Sequence, residues 1–376
     1  MRFDVAVVGL GGMGSAALAH CAARGASAIG IEQFGVGHDL GSSHGKSRMI
    51  RKAYFENPAY VPLILRAYDL WHELEREAGE ELLRITGVLA VGPENSKIVE
   101  RTRHTATLHG LPLEQLSRRE IEARYPTLKL LPSEAGVFEP DGGVLDPERA
   151  IAAHARVAEQ RGAELRCDVA MQSWQPTSHG FEIHLSDGSR VDTRALVLTI
   201  GPWFKATLES LGVPIDVQRN VQVWFQPSTD VYDVGRFTSF LLDRAGLPAP
   251  LYGFPDFGAG LKAAFHGAGE LTDADRVNRS IDVSRDVAPL SAALEQWMPG
   301  ATAGLRGAKA CMYTLTTDHD FVIDRHPQHA NLVMCGGFSG HGFKFAPVVG
   351  EIAADLALDR GTRHDIRFLS LARFAT

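Results

Sequence analysis

Four stretches of this chain set ionisable or reactive side chains among apolar or glycine-rich neighbours. In "FSGHGFKF", residues 338–345, Lys344 lies between two phenylalanines. Gly340 and Gly342 in the same run permit a backbone to approach a ligand closely. A lysine so placed is expected as a charge at the rim of a pocket. In "GLKAAFHGAG", residues 260–269, Lys262 sits in an apolar strand pattern, and His266, four positions on, faces the same side. Taken alone, Lys262 also fits a strand lysine turned to solvent. "GSSHGKSRMIRKAY", residues 41–54, carries His44, Arg48 and Arg51, the two arginines three apart and so on one face if the run is helical. Arginine suits bidentate capture of a carboxylate, and a solvated basic loop is the alternative. Finally, "KACMYT" places a lone Cys311 beside an aromatic residue. The four cysteines (Cys21, Cys167, Cys311 and Cys335) are far apart with no CxxC, so neither a disulfide framework, a zinc site nor any other metal is expected.

The elements that would position these groups begin at the N-terminus. "FDVAVVG" is a short valine-rich buried-strand pattern. It runs into "GLGGMG", a GxGxxG with Gly9, Gly11 and Gly14, followed by a helix-like run and a second strand ending in Glu32. The first glycine allows the turn, the second lets the backbone near a pyrophosphate, and the third lets helix pack on strand. The helix N-terminus favours phosphate charge, and an acid at the end of the second strand can accept from a ribose diol while disfavouring a 2′-phosphate. The motif does not separate FAD from NAD. "ALVLTIGPW", residues 195–203, is a further apolar strand ending in Thr-x-Gly at Gly201, as in many FAD enzymes.

With 376 residues, the chain is long enough for more than one domain. A net charge of −7 argues against nucleic acid and anionic membrane partners, and no apolar stretch is long enough to span a bilayer. The N-terminus enters a strand at once, leaving no room for a signal peptide, so a cytoplasmic protein with free thiols is expected. Residues 58–84 and 147–162 show helical periodicity, residues 219–266 alternate as an antiparallel sheet would, and residues 331–358 read as strand, glycine-rich loop and helix. The fold class expected is α/β, α+β overall. A Rossmann-like dinucleotide-binding domain (residues 1–85, 145–217 and 317–376) is interleaved with an antiparallel-sheet substrate domain (residues 86–144 and 218–316).

At this point the chain resembles the monomeric sarcosine oxidase family, which includes N-methyltryptophan oxidase. The runs that carry the resemblance are "VVGLGGMGSAA", "GSSHGKSRMIRKAYFENPAYVPL", "TGVLAVGP", "FEPDGGVL", "YGFPDFGAGLKAAFHG", "MPG", "GAKACMYTLTTDHDFVID" and "GFSGHGFKFAPVVGEIAADLAL", and they cover essentially the whole chain. The resemblance implies FAD bound covalently through Cys311. It implies that Arg51 and Lys344 hold a substrate carboxylate and that Tyr252 and Tyr313 line the substrate cavity. It makes Lys262 the lysine that promotes reaction with oxygen and His266 an active-site histidine, with Arg48 and His44 on the opposite flavin face. One departure stands out: the family loop often reads His-His-Gly-Asp, and here it is Ser43-His44-Gly45-Lys46. The implied reaction converts a small secondary amino acid, sarcosine first, with O2 and water to the primary amino acid, formaldehyde and H2O2. N-methyltryptophan, a cyclic imino acid such as pipecolate, a flavin dehydrogenase with another acceptor and an NAD protein are the rivals. A monomer is expected.

Overall fold

The valine-rich start forms the strand Arg2–Val8 in the parallel part of an eight-stranded mixed sheet, which Met171–Thr177, Gly180–Leu185 and Val322–His326 extend by antiparallel pairing. The computed structural model describes residues 2–359 and 361–375. Arg2–Val8 pairs in parallel with Ala28–Ile31 on one side and Arg190–Leu198 on the other. Glu164–Arg166 adds beyond Ala28–Ile31, and His329–Gly336 adds to the C-terminal end of Arg190–Leu198. Residues 5–8, 195–198 and 332–336 and the strand Ala28–Ile31 are buried on both faces, the pattern of a sheet covered twice. The helices Gly12–Ala23, Pro147–Gln160 and Ala346–Leu358 share one core with it. Helix Ala346–Leu358 crosses so near Gly12–Ala23 that a Cβ on Gly350 would stand 2.6 Å from the Ala16 carbonyl carbon.

The second large sheet has nine strands. Its spine is Ile215–Gln226, paired antiparallel along its whole length with Gly304–Thr316, and with Leu261–Phe265 and Glu270–Thr272. It is not wholly antiparallel, because Ser239–Leu242 runs parallel to Val88–Pro93. One face packs on helix Ala288–Trp297 through Leu290, Leu294 and Trp297.

Two local expectations change. The basic run is not helical: Arg48–Ile50 is a strand paired with Gly143–Leu145, so Arg48 and Arg51 do not share a helix face. Pairing with a distant strand decides this, a term that local spacing does not contain. The helix read over 58–84 is Val61–Ala78, stopped by Gly79 at φ +68°, and Leu83–Ile85 joins the same small sheet. No helix among the described residues is long and apolar enough to cross a membrane, and no group of three or more metal-ligating side chains occurs among them. All four cysteines are free.

Candidate active site

One cavity runs from the glycine turn to Lys344 and takes its walls from both sheets. Its first end is built by backbone. Gly9 has φ +87°, and a Cβ on Gly14 would lie 1.8 Å from the Gly9 carbonyl oxygen, so the helix starts directly against the turn. Thr199 clamps the turn from the next strand, its hydroxyl donating to the Val8 and Gly9 carbonyls at 3.0 and 2.7 Å. Gly201 follows with φ +54°. Glu32 is buried, and its two oxygens accept from Leu10 N at 2.7 Å and Phe34 N at 3.0 Å. The acid is thus preset beside the turn, and residual lone pairs face the cavity.

Cys311 sits mid-strand opposite Asn220, with Sγ 3.6 Å from the Ser42 carbonyl. Arg48 donates to that same carbonyl at 2.7 Å and to Ser47 O at 2.9 Å, so cysteine and guanidinium converge on one loop. His44 is fully buried, and neither ring nitrogen has a partner. Burial, helped by Arg48, Lys309 and Lys262, lowers its pKa to about 3, so the ring is neutral. The Gln222 amide oxygen beside this loop is likewise buried and unpartnered. Buried polar atoms without partners are rare in a folded chain, and Gln222 lines the cavity that Cys311 also lines, with His44 in the loop behind it.

The loop itself is held from two sides. Gly45 N donates to the Glu148 carboxylate at 2.6 Å and Lys46 N at 3.1 and 3.2 Å. Lys46 takes φ +63°, and its side chain is exposed. The base that replaces an expected acid therefore points outward, and Glu148 brings a negative charge to the loop from helix Pro147–Gln160. From the other side Lys262, only 2% exposed, donates to Gly45 O at 2.7 Å and Ser47 O at 2.9 Å. The solvent-facing alternative is excluded. Burial first, then Arg48, pushes its pKa well below the lysine range. Lys262 stands behind the loop rather than in the cavity wall.

At the far end Arg51 is buried over the Tyr54 and Phe55 rings, 4.6 and 4.1 Å from their centroids. Its Nη2 donates to both oxygens of Glu56, at 2.7 and 2.6 Å. Burial works against the Glu56 charge, but Arg51, His341 and Lys344 outweigh it and hold the carboxyl at about 2. Glu139 steadies the chain just past Arg51, accepting from the Lys52 and Ala53 amides. Lys344 is only 6% exposed, an interior residue and not a rim one. Its Nζ donates to His341 O at 2.7 Å and Tyr54 Oη at 3.4 Å. Burial, then Arg51, against the pull of Glu56, brings its pKa down to about 7. Tyr252, Tyr313 and His266 complete the wall, with His266 Nδ1 3.3 Å from Tyr313 Oη. Burial lowers the His266 pKa to about 4. Gly340 fits here because a Cβ would lie 2.4 Å from the Tyr313 ring, and a Cβ on Gly342 would meet the Phe338 side chain at 2.6 Å. Sequence reasoning missed Tyr54, Glu56, Glu139, Glu148, Thr199 and His341. Tyr54 ends the basic run and Glu56 follows two residues later, but nothing local marked them as partners.

The pattern of the FAD dependent oxidoreductase family matches residues 4–356. Monomeric sarcosine oxidase of Streptomyces avermitilis is 40% identical over 99% of this chain and 98% of its own. The enzyme of the same name from Bacillus sp. is 39% identical, over 99% and 96%. N-methyl-L-tryptophan oxidase of Yersinia pestis is 32% identical over the full length of both chains. Among solved structures, NikD, an unusual amino acid oxidase, superposes with a TM-score of 0.86 at 24% identity, covering 98% of this chain and 97% of that one. L-proline dehydrogenase from P. horikoshii gives 0.86 at 22% identity, over 99% and 98%, and both likenesses speak to the fold. The chain belongs to the FAD dependent oxidoreductase family, in the group of monomeric sarcosine and N-methyltryptophan oxidases.

Proposed function

We propose that the protein oxidises a small secondary amino acid, sarcosine foremost, in the presence of O2 and water to glycine, formaldehyde and H2O2. The observation that carries this reading is one cavity with two buried cations, Arg51 and Lys344, at one end and a dinucleotide turn with Cys311 at the other. The residues present fit FAD: a Cβ at Gly9 or Gly14 would strike backbone, so the turn stays bare at those points, Glu32 is preset for a ribose diol, and the unpartnered Gln222 amide oxygen belongs to a residue lining the same cavity as Cys311. When bound, FAD supplies a two-electron acceptor for the amine and passes those electrons on to oxygen. Gly9, Gly11, Gly14, Glu32 and Gly201 would hold it, Gly340 and Gly342 would let the backbone approach it, and Cys311 would anchor it covalently.

The chain's own residues do the rest. Lys344 has two protein acceptors for three ammonium hydrogens, so one remains for a substrate carboxylate. Arg51 offers its fork fully only when Glu56 turns aside. Holding the carboxylate there orients the amine, which removes the entropy of positioning from the reaction itself. His266, neutral at physiological pH, can accept a hydrogen bond from the substrate's ammonium and help orient it. Tyr252 and Tyr313 confine the N-methyl group and exclude water. The interleaved domain division, a monomeric state and a cytoplasmic location belong to the same proposal.

The reading is tested by assaying sarcosine, N-methyltryptophan and pipecolate for peroxide release. Sarcosine should give the highest kcat/KM. Turnover confined to an artificial electron acceptor, with no peroxide, would replace the oxidase by a dehydrogenase. One observation favours that second reading: Lys262, the group expected to promote oxygen reactivity, braces the Gly45–Ser47 loop from behind and is not in the cavity wall.

A further inference from the structure

We infer that Tyr54 and His341 are a positioning pair that aims the Lys344 ammonium into the cavity and favours its charged form. The inference rests on the reading of Lys344 as a carboxylate-binding residue. Hydrogen-bond direction carries it. His341 Nε2 lies 3.0 Å from the His319 carbonyl, which only accepts, so Nε2 must carry the proton. Nδ1 of this neutral ring is then an acceptor, and the Tyr54 hydroxyl 2.5 Å away must donate to it. With its only proton committed, Tyr54 Oη presents lone pairs to Lys344 Nζ at 3.4 Å. The His341 carbonyl takes a second ammonium hydrogen at 2.7 Å. His341 thus acts on Lys344 twice, directly through its carbonyl and indirectly through Tyr54. Trp71 Nε1 fixes the Lys344 backbone by donating to its carbonyl at 2.9 Å, so the lysine has little freedom to leave these acceptors.

The chain of bonds joins three sequence regions. Tyr54 follows the strand Arg48–Ile50, His341 lies in the glycine loop after His329–Gly336, and His319 closes the turn after Gly304–Thr316. The charged and titratable groups facing the cluster are Arg48, Arg51, Glu56 and Tyr60 from the first region, His319 and Asp320 from the turn, and His266 from the second sheet. His341 and His266 are neutral over the accessible range, with pKa values lowered to about 3 and about 4, and Tyr54 is pushed far up by burial. Glu56 stays ionised. Among Tyr54, Glu56, His266, His341 and Lys344, Lys344 is the one that changes charge near neutral pH. A carboxylate should bind well below its pKa and more weakly as pH rises through it.

Acetate titrated into the flavin-loaded enzyme, followed by flavin absorbance across pH, tests the pair. Lys344→Met should weaken acetate about tenfold or more and abolish the limb near neutrality. Tyr54→Phe should weaken acetate about three- to tenfold, the net size of one ordinary hydrogen bond, and move the limb to lower pH. The double variant should bind no worse than Lys344→Met, because the hydroxyl acts only through the lysine. A packing role for Tyr54 predicts instead an additive loss and an unmoved limb, and either result overturns the inference. If Lys344→Met weakens acetate and Tyr54→Phe does not, the positioning pair falls and the carboxylate reading stands. If Lys344→Met binds acetate as the parent does, the carboxylate reading falls and takes the pair with it. Should Tyr54→Phe fail to hold flavin, His341→Ala is read by the same criteria.

Discussion

The two ends of the cavity are made of different material. At the dinucleotide end the geometry is set by backbone: Gly9 in the left-handed region, Gly14 against a carbonyl, and Glu32 fixed by two amides. At the other end, proposed to take the substrate, it is set by side-chain charge: Arg51 on Glu56, and Lys344 on Tyr54 and His341. Backbone devices are rigid and intolerant, since a missing atom is the requirement. Charge devices are adjustable, since a partner can turn or titrate. A cofactor that stays bound through every turnover suits the first, and a substrate that must come and go suits the second.

The sharpest break comes from adding atoms to the rigid end. Gly14→Val would place a Cβ 1.8 Å from the Gly9 carbonyl, a clash with backbone that no rotamer relieves. The purified variant is expected to be colourless or to fail to fold, and its flavin absorbance together with its circular dichroism would show which. Retained yellow colour at parental stoichiometry would show that the turn is not the anchor. Next in size is Cys311→Ser. The parent is expected to keep its flavin through acid denaturation and to show the adduct mass, whereas the serine variant should release all of it. An unmodified mass in active yellow parent would remove Cys311 from the cofactor's chemistry.

Lys262 lies between the two regimes and tells them apart. As an electrostatic donor it should be worth about 10²- to 10³-fold in one step. Lys262→Met should then slow reoxidation by O2 far more than anaerobic reduction by sarcosine, as stopped-flow absorbance would resolve. Equal slowing of both would make Lys262 a brace for the Gly45–Ser47 loop, which is the role its hydrogen bonds already show.

What the sequence disclosed divides along the same line. The glycine turn, its strands and Glu32 are legible because each constraint acts within a few residues and has one solution in residue type. The fold class follows from the same local periods. Lys344 and Lys262 were visible as odd charges in apolar runs, but their depth was not, since burial depends on which segments fold over them. Tyr54 and His341 meet across a separation no spacing rule spans. Arg48 and Arg51 misled because helix and strand periods both fit so short a run, and the strand Gly143–Leu145 decides between them. Glu56 went unread because an acid five residues past an arginine signals a partner only once the intervening chain turns back.

The smallest expected effect falls on the loop that joins the two ends. Glu148 accepts from Gly45 N and Lys46 N, and in doing so holds Lys46 at φ +63°. That conformation costs a residue with a Cβ on the order of 1 kcal/mol, so something must fix it. Glu148→Gln keeps one accepting oxygen but loses the charge that strengthens both bonds. It should lower unfolding free energy by about 1 kcal/mol in urea titrations, within the range for a single hydrogen bond. Lys46→Gly removes the backbone strain and should recover part of that loss in the double variant, though glycine also gains freedom in the unfolded chain. Because Arg48 and Cys311 both contact Ser42 on this loop, attachment of flavin should slow in Glu148→Gln while the carboxylate end is untouched. Acetate affinity equal to the parent's, with a slower rise of the adduct mass during reconstitution, would separate the two ends by a single substitution. Weakened acetate binding would mean that the loop couples them, and that the cavity's two ends are not independently built.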